Sequence, residues 1–339
     1  MAKSSKHSGR LVVVLAALFM LAVLWAAATL GRLTQPLSPG SLARVLVAVP
    51  KGASASRIGS ILVKSHVLRS REAFLVAIRL DGLRSPLKPG VYELSPAMSP
   101  RQILRTIESG RVAMNAVTFP EGFTIVQMAD LLARRGMVDR EQFLHLCRED
   151  GRSVTAPHGF VAPDDNLEGY LFPDTYRFGQ HCEPRMIATE MLGEFETRVV
   201  RRHPEVADWR EPMIVASLVE REARVPEDRP LIAGVIGNRL HKGMRLQIDA
   251  TVEYALPAHK VRLTYADLQT DSPYNTYRHG GLPPTPICCP GLSCIEAALN
   301  PALSDYLFYV AGPGDRHIFT RSLAEHDAVR RKLREARGI

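Results

Sequence analysis

The sequence predicts an α+β chain: a single N-terminal transmembrane helix, a small strand–helix–helix–strand module, and a mixed α/β domain whose centre is mainly helical. Three observations carry this. Leu11 to Leu30 is an uncharged apolar run of 20 residues, enough to cross a hydrocarbon core of about 30 Å as a helix. Beyond it, short apolar stretches alternate with segments of helical apolar periodicity. The chain has 339 residues, 46% hydrophobic and 23% charged, so a mostly disordered protein is excluded and two folded units are expected. The boundaries read as a cytoplasmic tail over 1–10, the transmembrane helix over 11–31, a linker over 32–43, the small module over 44–115 and the larger domain over 116–339.

Lys3, Lys6 and Arg10 precede the apolar run. That bias favours a cytoplasmic N-terminus and an exported remainder, with one pass through the membrane. A cleaved signal peptide is the competing reading, since Ala26–Ala28 offers small residues for cleavage. The run is long for a signal, so a retained anchor is preferred.

The net charge is +8 and the pI about 9.4, which suits an anionic partner or surface. No basic run is interleaved with aromatics, so nucleic acid is not the expected partner. The five cysteines, Cys147, Cys182, Cys288, Cys289 and Cys294, have no zinc spacing, and no HExxH pair occurs. A metal site is therefore not expected, and buried hydrophobic roles fit most of the thiols.

After the Pro- and Gly-containing linker, Arg44–Val49 reads as a strand and Pro50–Gly52 as a turn. Ser54 or Ser56 can cap a helix carrying Ile58, Ile61 and Leu62. A second helix carries Phe74, Leu75 and Ile78, and Gly90–Leu94 is a short strand. Ser99–Pro100 starts a further helix that Gly110 ends. The order resembles a LysM-like module, a small fold that holds amino-sugar polymers; a plain α+β spacer fits it equally well. The pattern then repeats. Val49-Pro-Lys-Gly52 matches Phe119-Pro-Glu-Gly122, and Arg71–Leu75 matches Arg140–Leu144 after a one-residue slip. Residues 117–178 thus read as a second copy with an insertion near 151–166. Glu168–Gly169 falls where the first copy turns, which makes Glu168 a structural residue first and a site residue second.

A helix is expected over 185–209. The next stretch, Ile214–Ala223, reads as a helix with Ile214, Val215, Leu218 and Val219 on one arc at about 100° per residue. Glu222 falls on that apolar arc and Glu220 points away as an ordinary solvated carboxylate. A carboxylate among apolar side chains holds its proton to higher pH and can serve as a general acid. Pairing of Glu222 with an arginine is the plain alternative. Val225–Pro226 ends the helix, Asp228 can cap the next, and Gly243 closes that one. Gln247 and Asp249, two apart, would share a face of an extended strand.

Six motifs occur in order: LEGYLFPDTY (167–176), ASLVEREA (216–223), NRLHKGMRLQIDATVEY (238–254), SPYNTYRHGGLPPTPICCPG (272–291), ALNPALSDYLFYV (298–310) and HIFTRSLAEHD (317–327). Together they resemble the endolytic murein transglycosylases of the YceG-like family. The resemblance implies a lytic cut between N-acetylmuramic acid and N-acetylglucosamine in nascent peptidoglycan, with Glu222 as the only acid/base and no metal or cofactor. It also implies peptidoglycan strands as substrate and penicillin-binding proteins as partners. Expected substrate-binding residues are Gln247, Asp249, Tyr274, Asn275 and Thr276, with Glu168 in second rank; Asn275 can equally bond its own turn. Tyr309 reads as core or cleft alike, and His317 and His326 as structural. Three positions depart from the family pattern: Ala223 for threonine, Ala250 for proline and Cys289 for asparagine. The last is expected in a loop near the cleft, where it would alter local hydrogen bonds. A non-enzymatic glycan-binding adaptor and a hydrolytic muramidase remain as alternatives.

Overall fold

The computed structural model describes residues 5–337 apart from 111–113, 156–157, 159, 161, 163–164, 181, 259 and 261. Lys3, one of the cations expected to flank the membrane run, lies outside the described residues. Helix α1 (Ser5–Thr34) contains the 20-residue apolar stretch Leu15–Thr34, the one described helix long and apolar enough to cross a membrane. The chain divides into two compact units, Met1–Asn115 and Ala116–Ile339.

In the first unit, β1 (Val45–Val49) pairs antiparallel with β2 (Gly90–Leu94), Val45 opposite Leu94 and Val49 opposite Gly90. Between them run α2 (Ala55–Lys64) and α3 (Arg71–Asp81), and α4 (Pro100–Ser109) follows β2. The strand period of two turns Val47 and Val49 inward, where they meet Ile58 and Leu62 of α2, Phe74 of α3, and Ile103, Leu104 and Ile107 of α4. Ser54, not Ser56, caps α2 through its hydroxyl. Ser99 and Gln102 form a reciprocal capping box on α4, and Gly110 ends that helix in the left-handed region at φ +73°; caps of this kind are worth about 1 kcal/mol each.

The same element order recurs: β3 (Asn115–Thr118), α5 (Ile125–Arg134), α6 (Arg140–Glu149), the one-turn α7 (Arg152–Thr155), then β4 (Thr175–Phe178), with β3 hydrogen-bonded to β4. Thr124 and Gln127 repeat the capping box at α5. The chain continues through α8 (Pro184–Arg198), α9 (Arg210–Glu222), α10 (Arg229–His241), α11 (Asp249–Ala255) and α12 (Leu292–Leu299) to the hairpin β5 (Phe308–Ala311) with β6 (His317–Thr320), and ends in α13 (Leu323–Arg337). The helix expected over 185–209 stops at Arg198 and gives way to a 3-10 turn, Val200–Arg202. Its early stop leaves the loop in which Trp209 packs against Phe195.

Helix α9 joins two cores. Met213 and Ala216 pack into the cluster around Phe119, Met128, Phe143, Tyr170 and Phe195. Ile214, Leu218 and Val219 pack with Ile232 and Ile236 of α10, and with Leu246, Ile248 and Ile287. Each fully buried Leu or Val contributes roughly 1.5–3 kcal/mol, so α9 is held on both sides and its C-terminal end is a rigid place to mount a side chain. All five cysteines are free thiols; Cys147, Cys288, Cys289 and Cys294 are buried.

Candidate functional site

Glu222 is the last residue of α9, half-buried at the end of its apolar face. No arginine pairs with it among the described residues. Its neighbour Arg221 instead pairs with Glu253 at 3.1 Å. The Glu222 carboxylate accepts a hydrogen bond from Tyr309 Oη at 3.1 Å. Burial pushes its pKa up to about 7; the Tyr309 hydrogen bond opposes this, and the negative charges of Asp249 and Glu253 reinforce it. A carboxyl that stays half-protonated at neutral pH can both give and take a proton there.

Tyr309 stands on β5 and is fixed from behind. The His317 ring meets it edge-on at 5.3 Å. Asp228 Oδ2 accepts both the backbone N–H of His317, at 2.7 Å, and a hydrogen bond from His317 Nδ1, at 2.9 Å. The expectation that Asp228 caps α10 is therefore corrected. It sits at that helix's N-cap position without a side-chain cap, its oxygen being committed to the β6 strand.

Two cavities meet at Glu222. One, of about 380 Å³, is lined by Glu222, Arg239, Gln247, Asp249, Tyr277 and Tyr309, among others. The other, of about 390 Å³, is lined by Glu222, Arg221, Asp249, Glu253, Tyr309 and His317, among others. Gln247 and Asp249 thus share a wall with Glu222, although not as the sequence suggested. Residues 244–248 are irregular, Gln247 has φ +52°, and Asp249 opens α11. The strand expectation fails because the segment is held by side chains instead of a ladder. Arg239 donates to Leu246 O at 2.6 Å and to Leu307 O at 2.6 Å, tying the segment to the residue just before β5. Gln247 N–H donates to Thr276 O and Ile248 N–H to Thr276 Oγ1.

Those bonds define what the 274–276 stretch does here. Asn275 and Thr276 are buried, at 0% and 2% exposure, and do not line the cavities at Glu222. Asn275 Nδ2 donates to Leu268 O and Thr270 O, and its Oδ1 accepts the Tyr277 N–H. The turn so formed aims Tyr277, whose hydroxyl donates to Asp249 Oδ1. Thr276 also exchanges a hydroxyl hydrogen bond with Thr251 on α11, at 2.9 Å. Polar residues expected to face sugar thus form the back of the wall that carries Gln247 and Asp249. Tyr274 lines a third cavity, meets the Tyr254 ring at a tilt with centroids 4.9 Å apart, and bonds Thr285 through its hydroxyl.

Glu168 is sealed, at 1% exposure. Oε1 accepts the Ile125 N–H at the start of α5 (3.0 Å), and Oε2 accepts Tyr254 Oη on α11 (3.1 Å). Its pKa is also raised to about 7, chiefly by burial. The expectation for Cys289 is corrected: it is buried with its Sγ 4.0 Å from Glu168 Oε1, and it lines none of the three cavities. Ala250 does line two of them. Glu220 also differs from expectation. It is half-buried and accepts the Gly291 N–H at 2.9 Å, tethering the start of α12. Periodicity indicated its direction on α9 but not that α12 would cover it.

Tyr277 and Arg239 are the site groups that sequence reasoning did not single out, and Tyr309, readable as core or cleft, lines the cleft. Tyr309 lies in a short alternating stretch, which marks a half-buried strand but not which face carries the site. Among the described residues no three His, Cys, Asp or Glu side chains converge as a metal-binding group.

Such a carboxyl, at the end of a firmly packed helix in a polar cleft of a mainly helical α/β unit, is suited to acid–base chemistry. The chain belongs to the YceG-like family, whose model matches residues 47–332. It is 34% identical over 316 residues, 88% of both chains, to a protein of Bacillus subtilis (strain 168) named endolytic murein transglycosylase. It is 28% identical to a protein of the same name from Streptococcus pneumoniae serotype 2, covering 86% of this chain and 60% of that one. The crystal structure of a yceG-like protein from Listeria monocytogenes superposes with a TM-score of 0.59 at 35% identity, over 85% of this chain and all of that one.

Proposed function

We propose that the protein is a membrane-anchored endolytic transglycosylase that cuts nascent peptidoglycan between N-acetylmuramic acid and N-acetylglucosamine, with Glu222 as its single acid/base. The observation that carries this is the Glu222 carboxyl itself: protonated up to about pH 7 and mounted where two cavities meet. The naming of the Bacillus and Streptococcus relatives supports the substrate.

In this reading Glu222 gives its proton to the glycosidic oxygen as the C1–O bond breaks, and positive charge develops at the muramyl C1. The Glu222 carboxylate then takes the proton from the C6 hydroxyl of the same sugar, and O6 bonds to C1. The product is a 1,6-anhydro end, Glu222 is protonated again, and the sugar has supplied its own nucleophile. General acid–base help of this kind is worth roughly 10²–10⁴-fold. Tyr309 fixes the carboxylate oxygen, and Gln247 and Asp249 offer polar groups to the sugar on the same wall. Asp249 is also the second carboxylate that a hydrolase would need, so a muramidase is the second reading. The β1–α2–α3–β2 order supports a LysM-like role for the first unit in holding glycan, and α1 supports anchoring with the larger unit outside the cytoplasm. Penicillin-binding proteins are the partners this placement suggests.

Mass spectrometry of digested peptidoglycan strands tests the reading. Wild-type protein should leave anhydro-muramyl ends and Glu222→Gln none. Reducing ends would turn the assignment to a hydrolase, and uncut strands to a glycan-binding adaptor.

A further inference from the structure

The largest of the three cavities is not the one that holds the acid. It encloses about 830 Å³ and is lined by Thr124, Gln127, Arg148, Asn166, Tyr254 and Tyr274, among others. It shares Arg221, Ala250 and Glu253 with one of the cavities at Glu222, so it opens off the same groove. Its two guanidinium groups are held differently. Arg221 is compensated by Glu253 at 3.1 Å. Arg148, near the C-terminal end of α6, makes no ion pair among the described residues, although its charge acts on the buried Glu168 and opposes the rise in that group's pKa. Glu168 itself accepts its hydrogen bonds from the Ile125 N–H and Tyr254 Oη, not from Arg148. The cavity therefore presents one guanidinium outside any direct ion pair, beside amide groups and a tyrosine pair. Those groups match a peptide ending in a carboxylate better than a neutral sugar, because a guanidinium forms paired charge-assisted hydrogen bonds with a carboxylate.

We infer that this cavity receives the acidic peptide appended to the muramyl residue at the cut, with Arg148 binding a peptide carboxylate. This rests on the proposed function, which supplies a glycan whose muramyl units carry peptides. A peptide joined through its N-terminus ends in a free carboxylate, and the shared wall of Arg221, Ala250 and Glu253 gives it a path from the groove at Glu222. Recognition of this kind makes peptide-bearing strands the preferred substrate.

The test compares initial cleavage of peptide-bearing strands with strands stripped of peptide by an amidase, for wild type, Arg148→Ala, Arg148→Glu and Arg148→Lys. Wild type should favour peptide-bearing strands by about tenfold or more, the worth of a charge-assisted hydrogen bond. Arg148→Ala should collapse that ratio toward one, mainly through KM, Arg148→Glu should lower it further, and Arg148→Lys should restore part of it. Thermal unfolding of each variant reports whether it is folded; Arg148 is exposed, so all three should melt with wild type. Equal wild-type rates on both strands, or an Arg148→Ala loss of equal factor on both, would overturn the inference while leaving the transglycosylase reading intact. If wild type cuts neither strand, that reading fails and the inference with it.

Discussion

Glu222 and Glu168 are two carboxyls with pKa values raised to the same level, about 7, in surroundings that could hardly differ more. Glu168 is closed off, and both its oxygens bind protein donors, one on α5 and one on α11. Glu222 has one protein donor among the described residues, Tyr309, and faces two cavities. A shifted pKa therefore does not mark a catalytic group by itself; it must be read together with what can reach the proton. Glu168 works as a clasp between α5 and α11, and Glu222 as a group with a free side.

The comparison can be broken most directly at Glu222. Glu222→Gln should lower cleavage by two orders of magnitude or more with an unchanged melting curve, because one half-exposed acid becomes an amide of the same shape. Glu168→Ala should do the reverse. It strands the Ile125 N–H and the Tyr254 hydroxyl in the core, at a cost on the order of 3 kcal/mol, seen in denaturant unfolding. Glu168→Gln sharpens the point through pH. Unfolded, this carboxyl ionises near its ordinary 4.5, and folded near 7. Between those values the native state holds the extra proton, so its contribution to stability is full at low pH and is lost as pH rises to about 7. The difference in stability between wild type and Glu168→Gln should follow that slope, and a flat difference would refute the clasp.

Tyr309→Phe should act more mildly and only on the open carboxyl. The hydroxyl favours the charged form of Glu222, so its loss moves the alkaline limb of the pH–rate profile upward and slows cleavage several-fold. The smallest effect is expected at Glu220. Glu220→Gln weakens the bond to the Gly291 N–H by about 1 kcal/mol, measurable as a lower melting temperature, with cleavage per folded molecule unchanged.

Much of the local order was legible in the sequence because caps and periodicity act over a few residues. The start at Ser99–Pro100, the stop at Gly110 and the apolar arc of α9 all follow from such short-range chemistry. What was not legible was set by contacts far along the chain. Whereas Asn275 bonds its own turn, one of the two readings the sequence allowed, Thr276 and Asp228 are polar residues whose partners lie 28 and 89 residues away. Their composition suggested ligand groups or caps, while tertiary packing made them supports. The 244–248 segment misled for the same reason. Spacing of two implies a shared strand face only where a neighbouring strand exists, and here Arg239 and Thr276 take the place of one.

The buried thiols carry a consequence of their own. Burial raises the pKa of Cys147, Cys288 and Cys289, so in the native state they are both shielded and in their unreactive protonated form. Oxidation or mispairing can then reach them only before the larger unit closes or while it opens. Their chemical fate is decided by a race between collapse and oxidant, and once the chain has folded they keep a record of every later opening.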